Sequence, residues 1–327
     1  MKAAFYRAHG AARDVLEIGQ LPDPQVGPGQ VLVRIAVSGI NPSDVKTRQG
    51  TTARPFDGVR IPHNDGAGEI VAVGQGVDTA RIGQRVWVHN TGASNVLGTA
   101  AELVAVPQND AAKLPDNIGF EEAACFGVPL LTACHGVTAA GPVEGKIVLV
   151  TGGAGAVGHY AVQLATALGA TVIASVSSEE KAAVAREAGA RHIVDYRTED
   201  VPARIRDITE GRGVDHVVEV NLTVNGPTLH EILAVGGSAA IYGSDGAEVT
   251  LNARFLRIQL AALHFYNVYA LPETVLAAAK AALLPILETG ALKTRIAGRF
   301  DLDDIVAAHE AVESGELVGN AVVRVTR

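Results

Sequence analysis

The sequence predicts an α/β protein in which a parallel, doubly wound sheet is joined to a smaller β-rich domain. The first observation is an alternation of strand-like and helix-like apolar patterns that begins near residue 120. The second is a set of short apolar runs between Gly, Pro and Asn signals in the first third of the chain. The third is the length, because 327 residues exceed what one small core usually organises, so two domains are expected.

The first third of the chain is expected to form short β-strands. The runs "QVLVRIAVSGI", "GEIVAVG", "RVWVHN" and "AAELVAVP" alternate or are apolar throughout, and turn signals separate them. Because their spacing is irregular, they favour a compact, barrel-like β domain.

From about Phe120 the pattern changes to strand–helix units. "KIVLV" is predicted to be a buried strand, followed by a glycine-rich turn and a helix from about Val157 to Leu168. "TVIASV" and "SEEKAAVAREAG" are the next strand and helix, and the alternation continues to "SAAIYGS". This order predicts a parallel sheet with helices on both faces. Nearer the C-terminus a helix is expected around 273–284, with Pro285 ending or kinking it.

Composition and charge argue against several function classes. Apolar residues make up 48 % and charged residues 19 % of the chain, which suits a well-buried core. The net charge of −8, with no long basic run, gives no support for a nucleic-acid partner. The N-terminus has no apolar signal core and no long apolar run follows, so a cytoplasmic protein without a membrane partner is expected. Cys125 and Cys134 are expected to be buried small hydrophobic residues.

The segment "TGGAGAVG", between the first buried strand and its helix, predicts a dinucleotide site. Gly152, Gly155 and Gly158 place no side chain where the turn is tight, where backbone meets a diphosphate and where the helix packs on the strand. Free N–H groups at the helix N-terminus, with Ala156 and Val157 among the candidates, would bind the anion. A purely structural turn is the alternative. No "GK[ST]" sequence is present, which disfavours a nucleotide-triphosphate hydrolase.

The end of the second strand in this region predicts which nicotinamide cofactor binds. A carboxylate there would accept hydrogen bonds from a free ribose, but "IASVSSEEK" has no acid before Glu179. The hydroxyl of Ser177 and the nearby cation of Lys181 suit a 2′-phosphate, so NADPH is predicted over NADH. Tyr196 ends the next strand and is expected to close over the adenine. The alternative for Lys181 is a solvated helix residue.

Several stretches, taken in order, resemble the medium-chain dehydrogenase/reductase superfamily. They are "SGINPSDVKTRQG", "IPHNDGAGEIVAVGQGV", "GTAAELVAVP", "LPDNIGFEEAACFGVPLLTA" and the glycine-rich turn. Within that superfamily the chain is most similar to the zinc-free quinone oxidoreductases, the zeta-crystallin-like branch. The ordered set is far more specific than any one of its pieces.

The resemblance implies a Rossmann domain, residues 123–262, inserted in a GroES-like β-barrel catalytic domain made of residues 1–122 and 263–327, with the active site in the cleft between them. It also implies hydride transfer from NADPH to quinones or other α,β-unsaturated carbonyls without flavin, by a homodimer or homotetramer. Two alternatives stay open: a 2-enoyl thioester reductase, and a non-enzymatic NADPH-binding protein of crystallin or sensor type.

The comparison with zinc-dependent relatives predicts that no metal is bound. Those relatives have a cysteine early in the front domain and a "GHE" sequence ahead of "xxGxVxxVG". Here the first slot lies in "SGINPSD", without a thiol, and the "GHE" slot holds His63, Asn64 and Asp65. Asn64 stands where the ligand histidine would be, and an amide is a poor zinc ligand. His63, one position away, is expected to be a loop histidine.

Without zinc, the substrate carbonyl must be polarised by hydrogen bonds. The resemblance makes Asn41, the "NP" asparagine, and Thr132, beside the nicotinamide, candidate catalytic and cofactor-contacting residues. The alternatives are a turn-capping asparagine and a helix threonine bonded to its own backbone. The resemblance implies further cofactor contacts at strand ends, at Asn221, Tyr242, Gly243, Ser244 and Phe265.

Two departures from the family bear on the substrate. Lys46 stands in a tyrosine slot, in "KTRQG" where relatives have "YIRSG", so an aromatic lid or phenol donor is expected to be missing. That loss also disfavours the thioester reductase. Asn320 stands where a lysine is common. No protein acid is evident from the sequence, so water or a ribose hydroxyl is expected to deliver the proton.

Overall fold

The computed structural model describes residues 1–52, 55–91 and 97–326. Its strands are β1 Lys2–Phe5, β2 Glu17–Gln20, β3 Gln30–Ile40, β4 Asp65–Val73, β5 Arg85–Val88, β6 Leu103–Pro107, β7 Ala111–Lys113, β8 Ile147–Val150, β9 Thr171–Val176, β10 His192–Asp195, β11 Val214–Glu219, β12 Leu233–Ile241, β13 Ala262–Phe265, β14 Ile296–Asp301 and β15 Asn320–Arg324. Its α-helices are α1 Ala12–Val15, α2 Pro42–Gln49, α3 Phe120–Ala123, α4 Leu131–Thr138, α5 Ala156–Ala167, α6 Glu179–Glu187, α7 Val201–Ile208, α8 Leu222–Asn225, α9 Leu229–Ile232, α10 Ala253–Ile258, α11 Glu273–Thr289 and α12 Ile305–Glu313.

The chain forms two compact units. The first consists of Met1–Pro129 together with Lys280–Arg327, and the second is Leu130–Ala279. The first unit therefore takes both ends of the chain, and the second is an insertion. The limits predicted for the insertion, 123–262, stay a prediction. The strand β13, which begins at the last of those residues, pairs within the sheet of the second unit.

The second unit is built on a parallel sheet with the strand order β10-β9-β8-β11-β12-β13. The order reverses between β8 and β11, and such a reversal opens a crevice at the carboxyl ends of the strands. Val148, Leu149 and Val150 of β8 are at most 1 % exposed, because helices cover both faces of a central parallel strand. The predicted α/β class is confirmed.

The first unit is built on a sheet with the order β14-β15-β3-β4-β5-β7, to which β6 is added on β3, within the described residues. The pairs are antiparallel except β14 with β15. Because β15 pairs with β3, the C-terminal segment closes onto the N-terminal sheet. The predicted β-rich front domain is thus completed by residues from the far end of the chain.

Pro285 does not end its helix, which was the first of the two predicted effects, and a kink there stays a prediction. The helix α11 continues through it to Thr289. Leu276, Leu283 and Leu287 are at most 3 % exposed and lie on both sides of the proline. Burial of this apolar stripe stabilises the helix across the position where proline removes a backbone hydrogen bond. In the described part of the chain, no helix is both long and apolar enough to cross a bilayer.

Candidate functional site

In the second unit the glycine-rich turn lies at the crevice between β8 and β11. Gly152 has a φ of +65°, a conformation that glycine adopts without strain. A Cβ on Gly158, in the first turns of α5, would lie 2.2 Å from the carbonyl oxygen of Gly152. The turn and the helix therefore approach more closely than any side chain allows. Backbone amides of Ala156 and Val157, at the start of α5, are left for an anion.

The neighbouring strand holds this turn in place. The Gly152 amide donates to Ser175 Oγ at 3.3 Å, and the Gly153 amide donates to Ser175 O at 3.0 Å. Gly155 occupies the N-cap position of α5 in an extended conformation. The sequence pattern identified the glycines. The hydrogen bonds that Ser175 accepts from the turn follow only from the strand order, which places β9 beside β8.

At the end of β9 the structure brings the two predicted 2′-phosphate residues together. Ser177 is buried, and Lys181 Nζ donates to its Oγ at 3.0 Å. Ser178 caps α6 by accepting from the Lys181 amide, which sets the lysine on the first turn of that helix. Tyr196 follows β10, its amide donates to Val176 O, and its side chain is half exposed. A hydroxyl, a cation and an open aromatic ring therefore lie around one strand end.

These features fit a nicotinamide dinucleotide phosphate. The turn has no side chain where a diphosphate would meet the backbone, and the helix N-terminus favours negative charge. The cation of Lys181 lies where a dinucleotide with a free ribose would need a carboxylate.

The ends of β11 and β12 carry the next candidates. Asn221 occupies the N-cap position of α8 without a capping hydrogen bond from its side chain, and its Nδ2 donates to Asp245 Oδ2 at 2.6 Å. A Cβ on Gly243 would lie 2.0 Å from the carbonyl oxygen of Val220, so this position also requires glycine. Tyr242 is half-buried, and Ser244 is exposed with its hydroxyl donating to Gly246 O. These two positions keep their proposed cofactor role as a prediction.

Glu219 is a buried carboxyl at this crevice that the sequence reasoning missed. Its Oε1 accepts from the amide of Asn221 at 2.5 Å and from Asn225 Nδ2 at 2.9 Å. Burial raises the pKa of Glu219, which opposes the effect of these hydrogen bonds. The signal was present as an acid directly after the apolar pair Val217 and Val218, at the end of the predicted strand "VDHVVEV".

Thr132 and Phe265 lie in different surroundings within the second unit. Thr132 is 4 % exposed on α4, and its carbonyl accepts from the Tyr266 hydroxyl at 2.8 Å. Among the described residues its own hydroxyl has no hydrogen-bond partner, whereas the Thr138 hydroxyl donates to Cys134 O. Phe265 is 65 % exposed at the end of the edge strand β13.

In the first unit, Asn41 belongs to a buried group of amides and carboxyls. This amide–carboxyl cluster consists of Asn41, Asp44, Asn64 and Asp65, each at most 8 % exposed. The side-chain Nδ2 of Asn41 donates to Asp65 Oδ1 at 2.8 Å, and its backbone N–H donates to Asp44 Oδ2 at 2.8 Å. Asn41 is the N-cap of α2, so the cap geometry and the bond to Asp65 together fix its side chain.

The cluster holds two carboxyls among neutral donors. Asn64 Nδ2 donates to Asp44 Oδ1 at 2.6 Å, and the Val128 amide donates to Asp65 Oδ2 at 2.9 Å. Burial raises the pKa of Asp44 to about 6. Burial, followed by the charge of Asp44, raises the pKa of Asp65 well above its usual range. Sequence reasoning considered only the amides of this group.

His63 is buried and is joined to another histidine. It has a φ of +78°, which is uncommon for a residue with a side chain. A hydrogen bond of 2.7 Å joins its Nδ1 to Ser38 Oγ, and one of 3.2 Å joins its Nε2 to His309 Nε2. Burial lowers the pKa of His63 to about 3, so the ring is neutral near pH 7. The expectation of a simple loop histidine misses this pairing across the unit.

The two departures from the family pattern have different surroundings. Lys46 is exposed on α2. Asn320 is buried at the start of β15, where its Nδ2 and its amide both donate to Arg295 O. Asn320 therefore joins two segments of the first unit.

Two family models match the chain. "Alcohol dehydrogenase GroES-like domain" covers residues 27–116, and "Zinc-binding dehydrogenase" covers residues 156–280. In the described ranges no group of three or more His, Cys, Asp or Glu side chains is placed to hold a metal ion. The name of the second model therefore has no counterpart in a ligand set there.

Curated relatives span nearly the whole chain. A quinone oxidoreductase of Pseudomonas aeruginosa is 30 % identical over 98 % of this chain and 99 % of its own length. The human quinone oxidoreductase is 28 % identical over 88 % of this chain and 86 % of its own. A 2-methylene-furan-3-one reductase of Solanum lycopersicum is 30 % identical over 99 % of this chain and 79 % of its own.

Solved structures share the fold over the full length. An NAD-dependent alcohol dehydrogenase superposes with a TM-score of 0.90 and is 30 % identical, with 100 % of both chains covered. A mycobacterial protein complexed with NADPH superposes with a TM-score of 0.88 and is also 30 % identical, with 99 % of this chain and 100 % of that chain covered. One of these two structures is named for NAD and the other for NADPH. The residues at the end of β9 therefore decide between the two cofactors.

Proposed function

Because the chain belongs to the zinc-free quinone oxidoreductase family of the medium-chain dehydrogenase/reductase superfamily, we propose that it reduces quinones or other α,β-unsaturated carbonyls with NADPH. It is an oxidoreductase of the medium-chain type. The observation that carries the cofactor choice is the contact of Lys181 Nζ with Ser177 Oγ at the end of β9.

The residues of the second unit bind and orient the cofactor. The amides of Ala156 and Val157 hold the diphosphate, and the Lys181 ammonium with the Ser177 hydroxyl binds the 2′-phosphate. The similar protein complexed with NADPH supports this assignment. Bound NADPH supplies a hydride. The unpartnered hydroxyl of Thr132 is available to orient the nicotinamide.

The residues of the first unit act on the substrate. The Nδ2 group of Asn41 has two hydrogens, one of which is donated to Asp65. The second is proposed to donate to the substrate carbonyl oxygen as negative charge develops there. Since Asp65 and the cap of α2 fix the amide beforehand, little reorganisation is needed during the reaction. Relatives named for quinones and for a methylene-furanone support both substrate classes.

A substrate panel with both cofactors tests the proposal. The purified protein is given NADPH or NADH with para-quinones, alkyl enones and 2-enoyl thioesters, and the same sample is analysed for zinc. We expect NADPH oxidation with a quinone or an enone, slower rates with NADH, and less than 0.1 zinc per chain, on the order of background.

Three results of the same panel would contradict the proposal. Far higher rates on thioesters would favour a 2-enoyl thioester reductase. Tight NADPH binding by folded protein without turnover on any substrate would favour a non-enzymatic role. One zinc ion per chain would favour a zinc-dependent dehydrogenase.

The finer proposal on assembly is a homodimer that pairs the edges of the parallel sheets. β13 is an edge strand in the described part of the second unit. Phe255, Ile258, Leu260 and Phe265 are 47 to 72 % exposed on and just before it. An unpaired edge beside exposed apolar side chains is a surface that a second copy covers. This favours an interface role for Phe265 over a cofactor contact.

Light scattering on two matched variants tests the dimer. Leu260→Asp places a charge beside the edge and is expected to yield monomers. Val224→Asp, at a position 66 % exposed on α8, is the control and is expected to stay dimeric. A monomeric wild-type protein at micromolar concentration would contradict the proposal.

A further inference from the structure

The amide–carboxyl cluster contains an acid that neither the proposed function nor the sequence reasoning uses. Asp44 is 3 % exposed, and the donors it accepts from, the Asn41 amide and Asn64 Nδ2, are both neutral. Two neutral donors offset only part of the cost of burying a carboxylate. A buried carboxyl in such surroundings keeps its proton more readily than one in water.

Asp44 and Asp65 differ in their access to space outside the cluster. Asp44 lines a cavity of about 10 Å³, which is on the order of one water molecule, together with Tyr6, Arg60 and Asn64. Asp65 is fully buried and does not line this cavity. Of the two acids, Asp44 is therefore the one that can exchange a proton with a water molecule in this cavity.

The charged and titratable groups around Asp44 come from three directions. Tyr6 follows β1, and burial raises the pKa of its phenol to about 12, so it stays neutral. Arg60 precedes β4, and its positive charge favours the carboxylate form of Asp44 slightly. Asp65, at the start of β4, accepts from Asn41 Nδ2, and the charge of Asp44 acts on this second carboxyl. The cost of holding two adjacent carboxylates favours one retained proton in this group.

On these grounds, and resting on the proposed function, we propose that Asp44 supplies the proton that completes the reduction. The backbone N–H of Asn41 donates to Asp44 Oδ2 at 2.8 Å, and the Asn41 side chain also interacts with this carboxyl, so the acid lies beside the residue proposed to bind the substrate oxygen.

The hydride brings two electrons and one hydrogen to the quinone or to the β-carbon of the enone, which leaves a quinol anion or an enolate. The O–H bond of Asp44 breaks, and its proton forms the new O–H or C–H bond of the product. The Asn41 amide and Asn64 Nδ2 then stabilise the Asp44 carboxylate, and water reprotonates it by way of the cavity.

Asp44→Asn is the direct test, because the asparagine has nearly the same shape and cannot act as the acid. At saturating NADPH we expect kcat to fall roughly 100-fold or more, the range for losing a general acid. In the wild-type protein kcat falls as pH rises through the pKa of Asp44, and this limb is expected to be absent in the variant. Asp57→Asn, an exposed carboxyl in the same unit, is the control and should leave both unchanged.

A paired variant separates proton donation from positioning. Asp44→Asn combined with Asn64→Asp keeps an amide–carboxyl pair at these positions but moves the acid to residue 64. If Asp44 only holds Asn41 in place, the pair should recover kcat and keep the wild-type pH profile. If Asp44 is the donor, the pair should refold and bind NADPH normally while its pH profile differs from that of the wild-type protein. This variant also serves if the single one does not fold.

The outcomes distinguish the two proposals. A wild-type protein that turns over quinone or enone, together with an Asp44→Asn variant within threefold of its kcat and with the same pH profile, would overturn the proton assignment alone. A wild-type protein that is inactive on the whole panel would overturn the proposed function instead.

Discussion

The glycine-rich turn of the second unit and the amide–carboxyl cluster of the first unit are built in opposite ways. The turn consists of backbone from eight consecutive residues, "TGGAGAVG", and depends on side chains being absent. The cluster consists of side chains from α2 and from the residues that begin β4, joined by bonds such as Asn64 to Asp44. A site made of local backbone can be predicted from the sequence. A site made of side chains from separate segments can be identified only when the pairing of the strands is known.

The largest expected effect breaks the turn. In Gly158→Ala the added Cβ would lie 2.2 Å from Gly152 O, so the start of α5 must move away from the diphosphate position. We expect the Kd for NADPH, measured by fluorescence titration, to rise about 100-fold or more, which is about 2.7 kcal/mol. Gly119→Ala, where a Cβ meets nothing within 4 Å, is the control. Binding within threefold of wild type would mean that the turn is not the diphosphate site.

The next effect sharpens the cofactor choice. Lys181→Ala removes a charge-assisted contact to the 2′-phosphate, of about 1.5–3 kcal/mol, so the Kd for NADPH should rise roughly 10- to 100-fold. The Kd for NADH, which has no such phosphate, should stay within about twofold and is the internal control. Equal losses for both cofactors would place the phosphate elsewhere.

A smaller effect concerns stability around the cluster. Since burial lowers the folded pKa of His63 to about 3, against 6.5 in an unfolded chain, its contribution is present above pH 6.5 and is lost as pH falls toward 3. At pH 5 this loss is about 2 kcal/mol. His63→Asn removes the titration in a residue type that tolerates positive φ.

The measured quantity for His63 is the difference between variant and wild type. Raised pKa values, such as that of Asp44, act with the opposite sign in both proteins and cancel in this difference. The free energy of unfolding is measured by urea at pH 7.5 and pH 5, with the exposed His9→Asn as control. The gap between His63→Asn and wild type should move by about 2 kcal/mol in favour of the variant at pH 5. No movement would mean that His63 titrates as in water.

The smallest effect concerns the surface beside the cluster. Lys46 is exposed on α2, and its side chain takes no part in the buried hydrogen bonds described above, so Lys46→Ala should change the free energy of unfolding by less than about 0.5 kcal/mol. The KM for a quinone should stay within about twofold. A larger change in KM would place the exposed end of α2 in contact with the substrate.

Sequence reasoning predicted the order of elements in the second unit and the pairing of Ser177 with Lys181, because both depend on residues a few positions apart. Of the two effects it predicted for Pro285, an end of the helix does not occur, because buried leucines on both sides stabilise the helix through that position. It did not find Glu219 as a buried acid, since Asp and Glu side chains are rarely buried and sequence alone therefore favours an exposed one.

The sequence by itself determined the α/β class and the choice of NADPH, and it predicted the diphosphate turn, because each follows from residue types at short and fixed spacing. Only the tertiary structure decided that Asp65 bonds the side chain of Asn41, and that His63 meets His309. Those contacts join segments that lie far apart in the chain. Their burial, which sets the pKa values, arises only when the sheet of the first unit has formed.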